Sequence, residues 1–109
     1  MRGIIETAEK AIEFYGESLQ QIVAIEEMAE LQKEISKAMR GKAMNENSVA
    51  EEIADVEFML RQLMIIYGID AFEVERRMKN KAERLFERIE IEKRKREEDR
   101  SGVCVSSRL

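Results

Sequence analysis

The chain has 109 residues, 39% charged and 44% hydrophobic, with no proline, tryptophan or histidine, five glycines and one cysteine. That length bounds it to one modest core, and so few turn formers among so many good helix formers exclude a β-sandwich or barrel. The net charge of −4 is uneven, with 16 acids and 7 bases in residues 1–75 and 11 bases and 7 acids in residues 76–100, and the acidic front argues against nucleic-acid binding.

Residues 4–15 carry Ile4, Ile5, Ala8, Ala11, Ile12 and Tyr15 at helical spacing, and Gly16 breaks the pattern. A second helix is predicted over 17–39, with Leu19, Ile22, Val23, Ile25, Ala29 and Ile35 on its inner side. A polar connection follows Arg40 and includes Asn45-Glu46-Asn47. Ser48 followed by Glu51 fits a capping box, so a third helix is expected to start there and run to Tyr67, with Gly68 as its C-terminal stop. Asp70 followed by Glu73 resembles an acidic version of the same cap, and a fourth helix is expected over about 71–98. Together these predict an all-α four-helix bundle, one domain over 1–100, with a flexible tail at 101–109. Four such helices enclose a thin core. A homodimer or homotetramer is therefore expected, burying side chains such as Phe58, Met64, Ile65 and Phe72.

No apolar run approaches the roughly 18 residues of a membrane span, so no membrane partner is expected. The first sixteen residues alternate acids with apolar side chains, which does not fit a signal peptide. Cys104 reads as an incidental free thiol in a polar tail, in keeping with a reducing cytoplasm. Without histidine, and with one cysteine, the chain cannot form a Ser-His-Asp triad, a Cys-His pair, a zinc site of the usual ligands or an intrachain disulfide.

The carboxylates carry the chemistry that remains. Glu26-Glu27-x-x-Glu30, with Glu34 one turn on, precedes a second group, Glu51-Glu52-x-x-Asp55 with Glu57. Residues three or four apart on a helix share a face, so Glu27 points with Glu30 and Glu52 with Asp55. Helical steps back from Glu27 reach Val23 and Leu19; steps forward from Asp55 reach Met59, Leu63 and Ile66. Solvated acids usually lie opposite such stripes, whereas these four continue them into the space between helices. Unpaired anions there must take up protons or share a cation. An all-oxygen donor set suits Mg²⁺, with Mn²⁺ as the other candidate. The competing reading is an acidic bundle whose carboxylates are solvated or paired with Lys33, Lys37, Arg40 and Arg61.

The order Glu26-Glu27-x-x-Glu30, then Glu52-x-x-Asp55, then Tyr67-Gly68-Ile69-Asp70 and Asn80-Lys81-Ala82-Glu83-Arg84-Leu85 resembles the MazG-like all-α nucleoside triphosphate pyrophosphohydrolases. That superfamily includes the dimeric dUTPases and the phosphoribosyl-ATP pyrophosphohydrolases. The resemblance covers roughly residues 17–90. It implies that Glu27, Glu30, Glu52 and Asp55 ligate Mg²⁺, that Glu26 or Glu34 holds or deprotonates the attacking water, and that Lys81 and Arg84, with Lys33 and Lys37 as weaker candidates, bind substrate phosphate. It also implies hydrolysis of a nucleoside triphosphate to the monophosphate and pyrophosphate, as nucleotide-pool house-cleaning. The chain departs from the family pattern in its short connection after Arg40 and in having no Trp or His to stack on or read a nucleobase. The alternatives are a dUTPase-like or phosphoribosyl-ATP-specific enzyme, or a non-catalytic acidic helical module that binds a partner helix.

Overall fold

A computed structural model describes residues 1–41 and 46–99. Four helices and no strand are present among the described residues: α1 (Ile4–Tyr15), α2 (Glu17–Met39), α3 (Glu46–Ile66) and α4 (Ala71–Asp99). None of them is long and apolar enough to cross a membrane. The all-helical expectation therefore holds, while the connection at 42–45 and the predicted tail with Cys104 lie outside the described residues.

The chain forms two compact units, Met1–Ile69 with the first three helices and a second from Asp70 onward with α4. In the first unit α2 packs most extensively on α3, and α1 lies against both. A single residue, Gly16, joins α1 to α2. Its N–H closes α1 on the Ile12 carbonyl at 2.8 Å, and its carbonyl accepts the first α2 bond from Gln20 N–H at 3.2 Å. Serving both helices requires φ +91° and ψ 154°, a region that side chains with a Cβ almost never enter.

The end of α3 is equally local in origin. Ile69 N–H bonds the Met64 carbonyl at 2.8 Å and Gly68 N–H the Ile65 carbonyl at 3.2 Å. This is the Schellman pairing, with Gly68 at φ +63° supplying the left-handed residue it needs. The start of α3 differs from expectation: the helix begins at Glu46, so Ser48 lies inside its first turn rather than at its cap. At α4 Asp70 does act as the cap, its Oδ1 accepting the Phe72 N–H at 2.9 Å. Glu73 does not reach back to complete a box. Its carboxylate turns forward and grips Arg76 at 2.7 and 2.8 Å and Arg77 at 2.9 Å.

The core is small and partly polar. Ala8, Ala24 and Met59 are its buried apolar residues, and Gln20 (7% exposed) and Gln62 (1% exposed) are buried beside them. Gln20 Nε2 donates to Gln62 Oε1 at 2.7 Å, and Gln62 Nε2 donates to the Met59 sulfur at 3.6 Å. At the rim of the same seam the Tyr67 hydroxyl donates to Gln21 Oε1. The inner side of α2 is therefore not the stripe predicted. Leu19, Ile22, Ile25, Ala29 and Ile35 are exposed and only Val23 of the predicted set is partly buried, while the buried and half-buried positions run through Gln20, Ala24, Glu27, Leu31 and Glu34. The helix is apolar on more than one side, so periodicity could not choose; the inward side carries the glutamine of the buried amide pair and the small, buried Ala24.

This buried amide pair predicts a specific mutational pattern. Gln62→Ala leaves Gln20 without its partner and opens a void, and is expected to destabilise by about 2–4 kcal/mol. Gln20→Ala strands Gln62 in the same way, whereas Gln20→Ala combined with Gln62→Ala removes both polar groups and should cost less than the sum of the two single changes. Urea unfolding of the four proteins measures the cycle; strictly additive losses would show that the pair contributes nothing as a pair.

Candidate metal centre

Two turns along the α2–α3 seam from the glutamine pair, α2 presents Glu27 and α3 presents Glu52 and Asp55. One carboxylate oxygen from each lies within 4.8 Å of the others. Glu27 and Glu52 are partly buried and Asp55 is exposed. The Oε2 atom of Glu52 is buried and has no hydrogen-bond partner, an arrangement costly for a carboxylate unless a proton or a cation meets it.

The electrostatics follow from this crowding. Burial raises the Glu27 carboxyl above its ordinary range, and the charges of Asp55, Glu52 and Glu30, with a hydrogen bond shared with Asp55, raise it further. Burial also raises Glu52, followed by the charges of Asp55, Glu30, Glu34 and Glu51. Among the described residues the ion pair at this end of the seam is Lys37 to Glu34, at 3.4 Å, and no cation lowers either Glu27 or Glu52. Oxygen donors that repel one another and lack basic partners fit a hard divalent cation, which would use the orphaned Glu52 oxygen and replace the protons the cluster otherwise attracts.

Of the four predicted ligands, the structure gathers Glu27, Glu52 and Asp55. Glu30 is exposed at the seam's rim and acts on Glu27 and Glu52 through its charge. A three-residue step on a helix falls short of a full turn, and the seam continues from Glu27 to Leu31 rather than to Glu30. Of the candidate water-holding groups, Glu26 is exposed, while Glu34 is partly buried and engaged by Lys37. Lys33 is exposed on α2.

Lys81 and Arg84 lie on α4, in the second unit, where with Arg76, Arg77 and Asn80 they line a cavity of about 260 Å³. Arg77, Lys81 and Arg84 succeed one another by four and three residues and so share one face. The two arginines that sequence reasoning missed are the ones held by Glu73, which lies below its ordinary range because both guanidiniums bond to it. Their signal was present as Glu-x-x-Arg-Arg, one acid followed by bases at both helical spacings.

The raised carboxyls give a pH test for the metal-free protein. The folded state binds protons at Glu27 and Glu52 more tightly than the unfolded chain. Their contribution to stability is thus most favourable in acid, and it falls as pH rises from the ordinary Glu value through the raised ones. In EDTA, Glu52→Gln is expected to gain on the parent as pH rises from about 4 to 7, read from chemical unfolding at each pH. Parallel profiles for the two proteins would show that the cluster is not repulsive. Compared with protein-family models, with curated proteins and with solved structures, the chain matches none.

Proposed function

We propose that this protein is an Mg²⁺-dependent nucleotide pyrophosphohydrolase that converts a nucleoside triphosphate to the monophosphate and pyrophosphate. The observation that carries the proposal is the convergence of Glu27, Glu52 and Asp55 from two facing helices, with one Glu52 oxygen buried and unpartnered. A partner-binding bundle has no need to hold carboxylates against one another inside a seam. The order of acidic and basic motifs along the chain, which resembles that of the MazG-like enzymes, supports the same choice.

Glu27, Glu52 and Asp55 would hold the ion, with Glu30 at the rim adding charge; Mn²⁺ would suit the same oxygens. When bound, Mg²⁺ supplies neutralisation of the polyphosphate and of the charge that develops on the transferring group. Glu34, partly buried and close enough to Glu52 for their charges to interact, is better shielded than Glu26 to accept a proton from a water, and its contact with Lys37 orients it. The cations of α4 form an anion site of their own, where Lys81 and Arg84 offer charge-assisted hydrogen bonds to phosphate oxygens. A homodimer is part of the proposal, because Ile22, Ile25 and Ala29 form an exposed apolar side of α2 that a second copy would cover.

A metal bound to the native state alone adds about 2.7 kcal/mol at a hundredfold excess over its Kd. Thermal melts in EDTA and in excess Mg²⁺ should therefore differ by several degrees, and superimposable melts would remove the metal site. Glu52→Gln and Asp55→Asn are expected to fold and to lose turnover; hydrolysis at the parent rate by either one would overturn the site. The decisive assay is a panel of nucleoside triphosphates with Mg²⁺ in ¹⁸O-labelled water. Label in the monophosphate and none in pyrophosphate is the expected result. Release of orthophosphate and a diphosphate would place the attack at the γ-phosphorus and end the pyrophosphohydrolase proposal.

A further inference from the structure

Beside the acidic cluster, on the side of α3 turned toward α1, lies a cavity of about 210 Å³ lined by Ile4, Ala54, Glu57, Phe58 and Arg61. Ala54 directly precedes Asp55 on the helix, so cavity and cluster occupy neighbouring faces of the same turns of α3. A helix with its side chains is about 10–12 Å across, which an extended nucleotide spans. The volume is below the roughly 300–1,000 Å³ that encloses a drug-sized molecule, and suits one flat ring system instead.

The chemistry of the lining is selective. Ile4, Ala54 and the partly buried Phe58 ring supply an apolar surface, and Glu57 and Arg61, one turn apart, supply one carboxylate and one guanidinium. That order and spacing favour an internal ion pair, as Glu73 and Arg77 form on α4. Glu57 and Arg61 form none, and neither has a hydrogen-bond partner among the described residues. Both residues are exposed and line the opening, so their hydrogen-bonding capacity is open to a ligand seated there.

We propose that this cavity is a nucleobase site selective for guanine. Guanine is the base whose two edges match this pair. Its N1–H and N2–H donate to a carboxylate, and its O6 and N7 accept from a guanidinium. Adenine presents an amino donor where guanine has O6, opposing Arg61, and lacks the N1–H for Glu57. Hypoxanthine keeps O6, N7 and N1–H but lacks the 2-amino group. The Phe58 ring takes the face of the base, a role for which the chain has neither Trp nor His. The inference rests on the nucleotide reading of the acidic cluster, which it deepens by naming the substrate's base.

The test uses the full chain and separates the two claims. Guanosine, inosine and adenosine, which carry no phosphate, are titrated in EDTA and followed by NMR. Guanosine is expected to bind most tightly, inosine several-fold more weakly and adenosine about tenfold or more. Glu57→Gln should erase the guanosine–inosine difference, and Arg61→Gln should erase most of the guanosine–adenosine difference. Equal binding of the three nucleosides, or preferences unchanged in both variants, overturns the base site and leaves the hydrolase proposal to its own pyrophosphate assay. Guanosine selectivity in EDTA, lost in the variants, upholds the site even if no triphosphate is cleaved; in that case it is the hydrolase proposal that falls.

Discussion

One register between two antiparallel helices decides where everything else in the first unit stands. Gln20 on α2 meets Gln62 on α3 through a buried hydrogen bond. Seven residues forward on α2 is Glu27, and seven residues back on α3 is Asp55. Seven residues make two turns, so the pairing that joins the amides also joins the carboxyls. Sliding α3 by one turn would separate Glu27 from Asp55 and strand both amides. The amide pair thus holds together a cluster that electrostatics alone would drive apart. A neutral, satisfied polar contact fixes the register, and that register brings three carboxyls together.

The helices were legible in the sequence because their ends are local events. Gly16 and Gly68 mark places where the chain needs positive φ, and Asp70 caps α4 through a neighbouring amide. What faces what was less legible. On α3 the predicted stripe turns inward from Met59, which is buried, through the half-buried Leu63 and Ile66, while Asp55 at its end is exposed. On α2 the apolar residues point several ways, and the helix presents Gln20 and Ala24 inward while Ile22 and Ile25 stay outside. Hydropathy gives glutamine no inward preference, so a core built around two amides has no signature in composition or period. The acidic cluster was legible in outline, because spacing places Glu27, Glu52 and Asp55 on facing sides. Spacing could not show that Glu30 falls at the rim, since that depends on the angle at which α2 meets α3.

The small core and the exposed apolar side of α2 belong together. Among the described residues three buried apolar side chains, two of them alanines, are little hydrophobic burial for a unit of three helices. In such a unit a proton or cation at the acidic cluster weighs more than it would inside a large core. Occupancy of the cluster and stability of the helix pair are then two aspects of one equilibrium.

The buried amide pair also bears on how this sequence can drift. Losing either glutamine alone strands its partner, whereas exchanging both for apolar side chains removes the problem. Positions 20 and 62 are therefore separated by a fitness valley that single substitutions must cross. In any lineage descended from this chain they should change as a couple or not at all. Their correlated substitution would carry, in the record of the sequences themselves, the antiparallel register of α2 and α3.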